Sequence, residues 1–221
     1  PPGSPFKLIN ALIGLQEGII TTQTSVSCFG GYRYGNRKNA FQKCHCDSYS
    51  GGIKLSKAIS KSCNSYFSNA YRGIIDKFDT ASIGMDAWSE HVKSFGLGDF
   101  LGYDLPTGRP GLIPNGKYYD DRNKFSWGPT TNISNAIGQG EISTTPIQLA
   151  NITAAIANRG YFYTPHIVKK INGKDIKNPK FTTPHVTSIA TEHFDPIIEG
   201  MHEVFKTGTG SNSTIEGIEI A

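Results

Sequence analysis

The opening residues Pro1-Pro2-Gly3-Ser4-Pro5-Phe6-Lys7 constrain the chain more than any other stretch, because they start a helix and set a hydroxyl and an amine one turn apart. Pro5 has no N–H to donate and a φ already near the helical value, so it suits the first helical position, and Ser4 before it suits the N-cap. Leu8, Ile9, Leu12, Ile13 and Leu15 follow at three- and four-residue spacing up to Gly18, which predicts a helix with one apolar face in a core. Residues three apart share a helix face, so the Lys7 amine can reach the Ser4 oxygen. Burial and the positive helix end both disfavour an ammonium there, which moves Lys7 toward a usable general base for a serine nucleophile. S-x-x-K alone is a weak motif, and its plainer reading is a capping serine followed by a surface lysine. It occurs once in this sequence, and that occurrence coincides with the helix start.

Four cysteines raise a second possibility. Cys28, Cys44, Cys46 and Cys63 are spaced C-x15-C-x-C-x16-C, without the C-x2-C knuckle of common zinc modules. Cys44 and Cys46 are too close to pair comfortably with each other. Tetrahedral zinc on the four thiolates, with His45 as a substitute ligand, stands beside the plainer reading of reduced or partly disulfide-bonded core cysteines.

The rest of the chain divides by its periodicity. Cys28 to Asn36, rich in glycine and aromatics, reads as a loop excursion, and Ile53 to Lys61 as an amphipathic segment ending at Ser62-Cys63-Asn64. Tyr66, Phe67, Ala70, Tyr71, Ile74, Ile75 and Phe78 predict one core helix, and Trp88, Val92 and Phe95 a second that ends at Gly96. Residues 115 to 132 read as an exposed loop. Thr144 or Thr145 caps a helix beginning at Pro146, mostly apolar and so expected to be buried on several sides. Asn172-Gly173 between two short strands is a type I′ hairpin signal. Residues 192 to 205 read as a helix, and Ile215 to Ile220 as the start of a strand.

With 37% hydrophobic and 18% charged residues the chain fits one large domain or two closely packed lobes. The net charge of +4 is scattered, and no nucleic-acid-binding pattern is present, so nucleic acid is not expected as a partner. No apolar stretch of about 18 residues and no signal peptide occurs.

Taken together, Pro2-Gly3-Ser4-Pro5-Phe6-Lys7 (P-G-S-x-x-K), Ser62-Cys63-Asn64 (S-x-N), Phe95-Gly96-Leu97-Gly98 with Gly102-Tyr103-Asp104-Leu105-Pro106, and Gly138-Gln139-Gly140-Glu141 with Thr145-Pro146-Ile147-Gln148-Leu149-Ala150 resemble the transpeptidase domain of class B penicillin-binding proteins. Among these the chain is most similar to the elongation-type penicillin-binding protein 2 group. The motifs lie in the family's order and run nearly end to end.

The resemblance implies an α+β fold of the penicillin-binding protein and serine β-lactamase type, here a mainly helical fragment with most of the antiparallel sheet outside residues 1–221. It implies a D,D-transpeptidase that cross-links peptidoglycan stem peptides and is acylated by β-lactam antibiotics, with no cofactor required. Ser4 would be the nucleophile, Lys7 its base, Ser62 a proton relay and Asn64 a holder of Lys7 and substrate, with the Ser4 N–H as half of an oxyanion hole. Cys63 would point away from the cleft, as alternate residues of an extended loop do.

Family members sit in the cytoplasmic membrane by an N-terminal helix, with the catalytic domain on the periplasmic side and a membrane glycosyltransferase and a scaffold protein as partners. That anchor, the pedestal domain and the third-motif strand are expected outside this partial domain, so these residues alone should acylate poorly. Lys206-Thr207-Gly208 copies the third motif, K-T-G, but follows a helical pattern, and it is expected to be a decoy. A serine β-lactamase, a D,D-carboxypeptidase, a non-catalytic β-lactam receptor and a zinc-binding module are the competing readings.

Overall fold

The computed structural model describes residues 1–221. Its centre is α1 (Lys7–Gln16), whose Ile9, Leu12 and Ile13 are buried among the other helices. A short ribbon region follows: β1 (Val26–Cys28), β2 (Gly31–Arg33), β3 (Phe41–Lys43) and β4 (Tyr49–Ile53), with β1 paired to β4 and β2 to β3, both antiparallel. Then come α2 (Leu55–Ser60), α3 (Asn64–Asp76), α4 (Ala81–Lys93), α5 (Gly116–Asp120) and α6 (Pro146–Ala157). Two hairpin-like pairs, β5 (Tyr161–Phe162) with β8 (His185–Val186) and β6 (Lys170–Ile171) with β7 (Lys174–Asp175), bracket α7 (Pro179–Thr182). The chain closes on α8 (Phe194–Lys206), which packs along α2.

One continuous core joins Phe6, Ile9, Leu12 and Ile13 to Tyr66, Phe67 and Tyr71 of α3 and to Met85, Trp88 and Val92 of α4. Trp88 meets Phe6 at 6.0 Å and the Tyr71 ring edge-on at 5.6 Å, spacings typical of favourable aromatic pairs. The architecture is α+β and mainly helical, and its strands form only two-stranded ribbons.

Several sequence expectations change. Ser4 is not the N-cap but the first residue of a 3-10 turn, Ser4–Phe6; Gly3 caps it at φ 72 and ψ −155, a conformation side chains disfavour. The Ser4 hydroxyl is thereby released from capping. The expected loop at residues 28–36 instead supplies β2 and one end of β1, because Tyr32 finds a place against the core. Within residues 115–132, Asn115 caps α5 through the Tyr118 N–H at 2.9 Å and Tyr119 is buried, so that stretch is not simply an exposed loop.

Helix α6 is capped by Thr145 with Gln148 completing a capping box, but it buries one face only: Ala150, Thr153 and Ala154 are exposed. Exposed alanines cost little, so the sequence could be apolar without being enclosed. Ile215 to Ile220 do not form a strand; Ile215 and Ile218 make one isolated bridge across a turn at Gly217. Asn172 and Gly173 both take positive φ, as the type I′ turn between β6 and β7 requires. No helix is long and apolar enough to cross a membrane.

Candidate active site

Three consecutive residues make the corner between α2 and α3. Helix α2 ends in a Schellman arrangement, with the Ser62 N–H on the Ile59 carbonyl and the Cys63 N–H on the Ala58 carbonyl, both at 2.9 Å. Glycine normally occupies the left-handed position of such an ending, but here it is Ser62, at φ 50. Holding a serine there costs on the order of 1 kcal/mol and turns its hydroxyl toward α1. Cys63 then caps α3 and faces the other way, fully buried. The direction agrees with expectation. Its cause is the left-handed kink at Ser62 rather than an extended loop.

This corner meets the start of α1. Lys7 is 2% exposed, and its amine donates to the Ser62 carbonyl at 2.8 Å, the Ser62 hydroxyl at 2.8 Å and Asn64 Oδ1 at 2.6 Å. The Ser62 hydroxyl in turn donates to Ser4 Oγ at 3.1 Å. Lys7 therefore reaches Ser4 through Ser62 rather than directly. Asn64 is itself held, its Nδ2 donating to the Lys43 carbonyl at 2.8 Å, which fixes its oxygen on Lys7. Burial pushes the Lys7 amine down to about 8, opposed in part by negative charge at Cys44, Cys63 and Cys46. Ser4, Lys7 and Ser62 line a cavity of about 390 Å³ whose opposite wall is apolar, including Ile59, Phe67 and Val204.

At the back of Ser4, the Gly3 N–H donates to the Gly138 carbonyl at 2.8 Å. Gly138 is at φ 67, and a Cβ there would fall on the Gly3 carbonyl oxygen and the Phe6 side chain, so only glycine permits the approach. The Ser4 N–H takes no partner in the fold.

Behind Asn64 the four cysteines converge. Their sulfurs all lie within 4.8 Å of one another, with Cys44 to Cys46 at 3.0 Å, Cys28 to Cys46 at 3.4 Å and Cys46 to Cys63 at 3.5 Å, and all four are free thiols. A tetrahedral zinc with Zn–S of ~2.3 Å separates its sulfurs by about 3.8 Å, inside this range. The Asn64 N–H points at Cys44 Sγ at 3.2 Å, and Ser65 Oγ meets Cys28 Sγ at 3.2 Å, the kind of outer hydrogen bonding that orients thiolate ligands. Hydrogen bonding with Cys63 holds the Cys44 thiol well below the ordinary range, while burial pushes Cys46 up. His45 is exposed and outside the cluster, so it does not serve as the substitute ligand.

Lys206 lies elsewhere. It is the last residue of α8, with its amine 3.6 Å from Glu203 and no strand around it. The residues after it support the Ser62 corner: the Thr209 N–H donates to the Ser60 carbonyl at 3.1 Å and Lys61 donates to the Thr207 carbonyl at 2.7 Å. Nothing in sequence spacing signalled that buttress, the left-handed Ser62 or the Lys43 carbonyl.

The sequence matches the family described as "Penicillin binding protein transpeptidase domain" over residues 1–221. It is 30% identical to the peptidoglycan D,D-transpeptidase MrdA of Acinetobacter baumannii over 95% of this chain and 30% of that protein, and 26% identical to MrdA of Escherichia coli K12 over 96% and 32%. The chain thus spans about a third of the length of these curated relatives. Among solved structures, PBP2 of Pseudomonas aeruginosa aligns with a TM-score of 0.78 at 29% identity, over 96% of this chain and 44% of that one. PBP2 of Helicobacter pylori, solved in complex with MreC, aligns with a TM-score of 0.75 at 28% identity, over 99% and 38%. Sequence motifs, fold and relatives agree, and the chain belongs to the penicillin-binding protein transpeptidase domain family.

Proposed function

We propose that this chain carries the nucleophile and base of a D,D-transpeptidase that cross-links peptidoglycan stem peptides and is acylated by β-lactams. The observation that supports it most is the unbroken line Ser4–Ser62–Lys7–Asn64 in a cleft. Two of the three Lys7 partners, the Ser62 carbonyl and Asn64 Oδ1, can only accept. When Lys7 loses its proton, its lone pair must therefore face the one partner that can donate, the Ser62 hydroxyl. The line then reverses: Ser4 donates to Ser62 and Ser62 donates to Lys7.

Ser4 Oγ attacks the carbonyl of the penultimate D-alanine, its proton passing through Ser62 to Lys7. The Ser4 N–H receives the developing oxyanion. Collapse breaks the C–N bond, the proton returns through Ser62 to the leaving amine, and D-alanine departs. An acceptor amine then attacks the ester, forming the new amide and restoring the Ser4 hydroxyl. The catalytic domain would work outside the cytoplasmic membrane beside a glycosyltransferase and a scaffold protein, as relatives solved in a peptidoglycan synthase complex and with MreC suggest.

The pH profile of acylation tests the base. With Lys7 pushed down to about 8 from 10.5, about one amine in ten is free at pH 7. The rate of labelling by a fluorescent penicillin, measured on the full transpeptidase domain, should rise about tenfold per pH unit at low pH and level off above about 8. A flat profile would refute Lys7 as the base. Stability should also rise with pH but in a higher window, between about 8 and 10.5, where the unfolded chain binds the proton that the folded one has lost. Rapid turnover of a chromogenic cephalosporin would instead favour a β-lactamase.

Lys206→Ala provides a second check. In the full transpeptidase domain it should leave the acylation rate within about twofold and stability within about 0.5 kcal/mol, as expected of an exposed helix-end lysine. Loss of acylation with folding intact would mean that Lys206 is the third-motif lysine after all.

We also propose structural zinc on Cys28, Cys44, Cys46 and Cys63. The ion would supply no chemistry to the acyl transfer; it would fasten the residue 28–46 ribbon to the corner that carries Ser62 and Asn64.

A further inference from the structure

Asn10 lies one turn beyond Lys7 on α1 and is wholly buried. Its side chain is fully used. Trp88 Nε1 donates to Asn10 Oδ1 at 2.8 Å, and Asn10 Nδ2 donates to the carbonyls of Asn135 and Ala136 at 3.1 and 3.0 Å. An indole N–H can only donate, so Trp88 forces the amide oxygen toward itself and presents both amide hydrogens to the two carbonyls. Those carbonyls belong to the last turn of the 3-10 helix Ile133–Ile137, and the Asn135 carbonyl also accepts the Gly138 N–H at 3.2 Å. The next residue, Gly138, takes the Gly3 N–H on its carbonyl, immediately before Ser4.

We propose that Asn10 is a positioning residue for acyl transfer at Ser4, an inference that rests on the acyl-enzyme reading above. Asn10 clamps the 133–138 turn to the helix that carries Lys7. The turn holds Gly3 through one backbone hydrogen bond, and Gly3 sets the direction of the Ser4 N–H and hydroxyl. Nucleophile and base are thus referenced to one another twice: directly through Ser62, and at the back of the helix through Asn10 and Gly138. The second reference governs the oxyanion donor, which the Ser62 line does not touch.

Asn10→Leu nearly conserves volume and removes both donors. In the full transpeptidase domain its limiting rate of acylation by a penicillin should fall at least about tenfold, while the dissociation constant of the pre-acylation complex stays within about twofold, the signature of misplaced reacting groups rather than lost binding. Hydrogen exchange should show Gly3 losing protection while Ile13 and Gly14 keep theirs. Ile152→Ala, on the buried face of α6, serves as the stability control: it should lower the melting temperature and leave the acylation rate alone. An unchanged rate in Asn10→Leu, or a loss that Ile152→Ala reproduces, overturns the proposal. If Asn10→Leu does not fold, Trp88→Phe, which removes the donor that orients the amide, should lower the rate severalfold, and a wild-type rate there overturns the proposal equally. Absence of any adduct on Ser4 in the unsubstituted protein overturns the acyl-enzyme reading and this inference with it, whereas a normal adduct with an Asn10-insensitive rate overturns this inference alone.

Discussion

Ser4→Ala is expected to abolish the covalent penicillin adduct of the full transpeptidase domain while leaving its fold and melting temperature in place. Ser4 is exposed at the cleft, and its oxygen accepts a single hydrogen bond, from Ser62. Removing it frees the Ser62 hydroxyl to bond water, so the stability change should stay within about 0.5 kcal/mol. Chemistry should suffer completely, because the other hydroxyl in reach, Ser62, lies at a strained corner with Lys7 already on its oxygen. Intact-mass spectrometry after penicillin treatment reads the adduct, and peptide mapping places it. An adduct of undiminished yield in Ser4→Ala, or one mapped to Ser62, would show that the nucleophile has been misassigned. Lys7→Met should act differently: the nucleophile survives, but Ser62 and Asn64 lose their shared donor, and acylation should slow by about 10² to 10⁴.

What made this site legible was local. Ser4, Pro5 and Lys7 announce a helix start by backbone chemistry, and the apolar stripe to Leu15 buries the lysine, so the pair could be read from one turn of sequence. Ser62 and Asn64 lie 58 and 57 residues from their partners, Ser4 and Lys7, and no periodicity links them; only the motif resemblance brought them into the site. The details that make the site work were hidden for physical reasons. A left-handed serine has no sequence signature, since the conformation is imposed by the Schellman ending of α2 and by the buttress from Thr207 and Thr209. Gly138 is one glycine among 25, and its need for a close approach appears only once Gly3 is seen beside it. The ribbons between Val26 and Ile53 were missed because strands of three to five residues give too few alternations to read.

Removing metal from the four cysteines should be the other large perturbation. The cluster joins β1, the chain after β3 and the N-cap of α3, tying three separate segments at one point beside the core. A tightly held zinc would stabilise the folded state by more than about 4 kcal/mol at ordinary metal concentrations, which for a domain of this size corresponds to a fall of about 10 °C in melting temperature on chelation. Acylation should fall with it. Asn64 owes its place to two groups on that ribbon, the Cys44 sulfur and the Lys43 carbonyl, and it is Asn64 that meets Lys7 at 2.6 Å. Elemental analysis of the purified protein should find one zinc per chain, retained in His45→Ala, since His45 lies outside the cluster, and lost in Cys63→Ser. The competing state is disulfide-bonded: such a protein would carry no zinc and would be lighter by two hydrogens for each bond. It would also melt at the same temperature with or without chelator. Either that pattern, or metal-free protein that acylates at the full rate, would mean that the thiols pack behind the active site without fastening it.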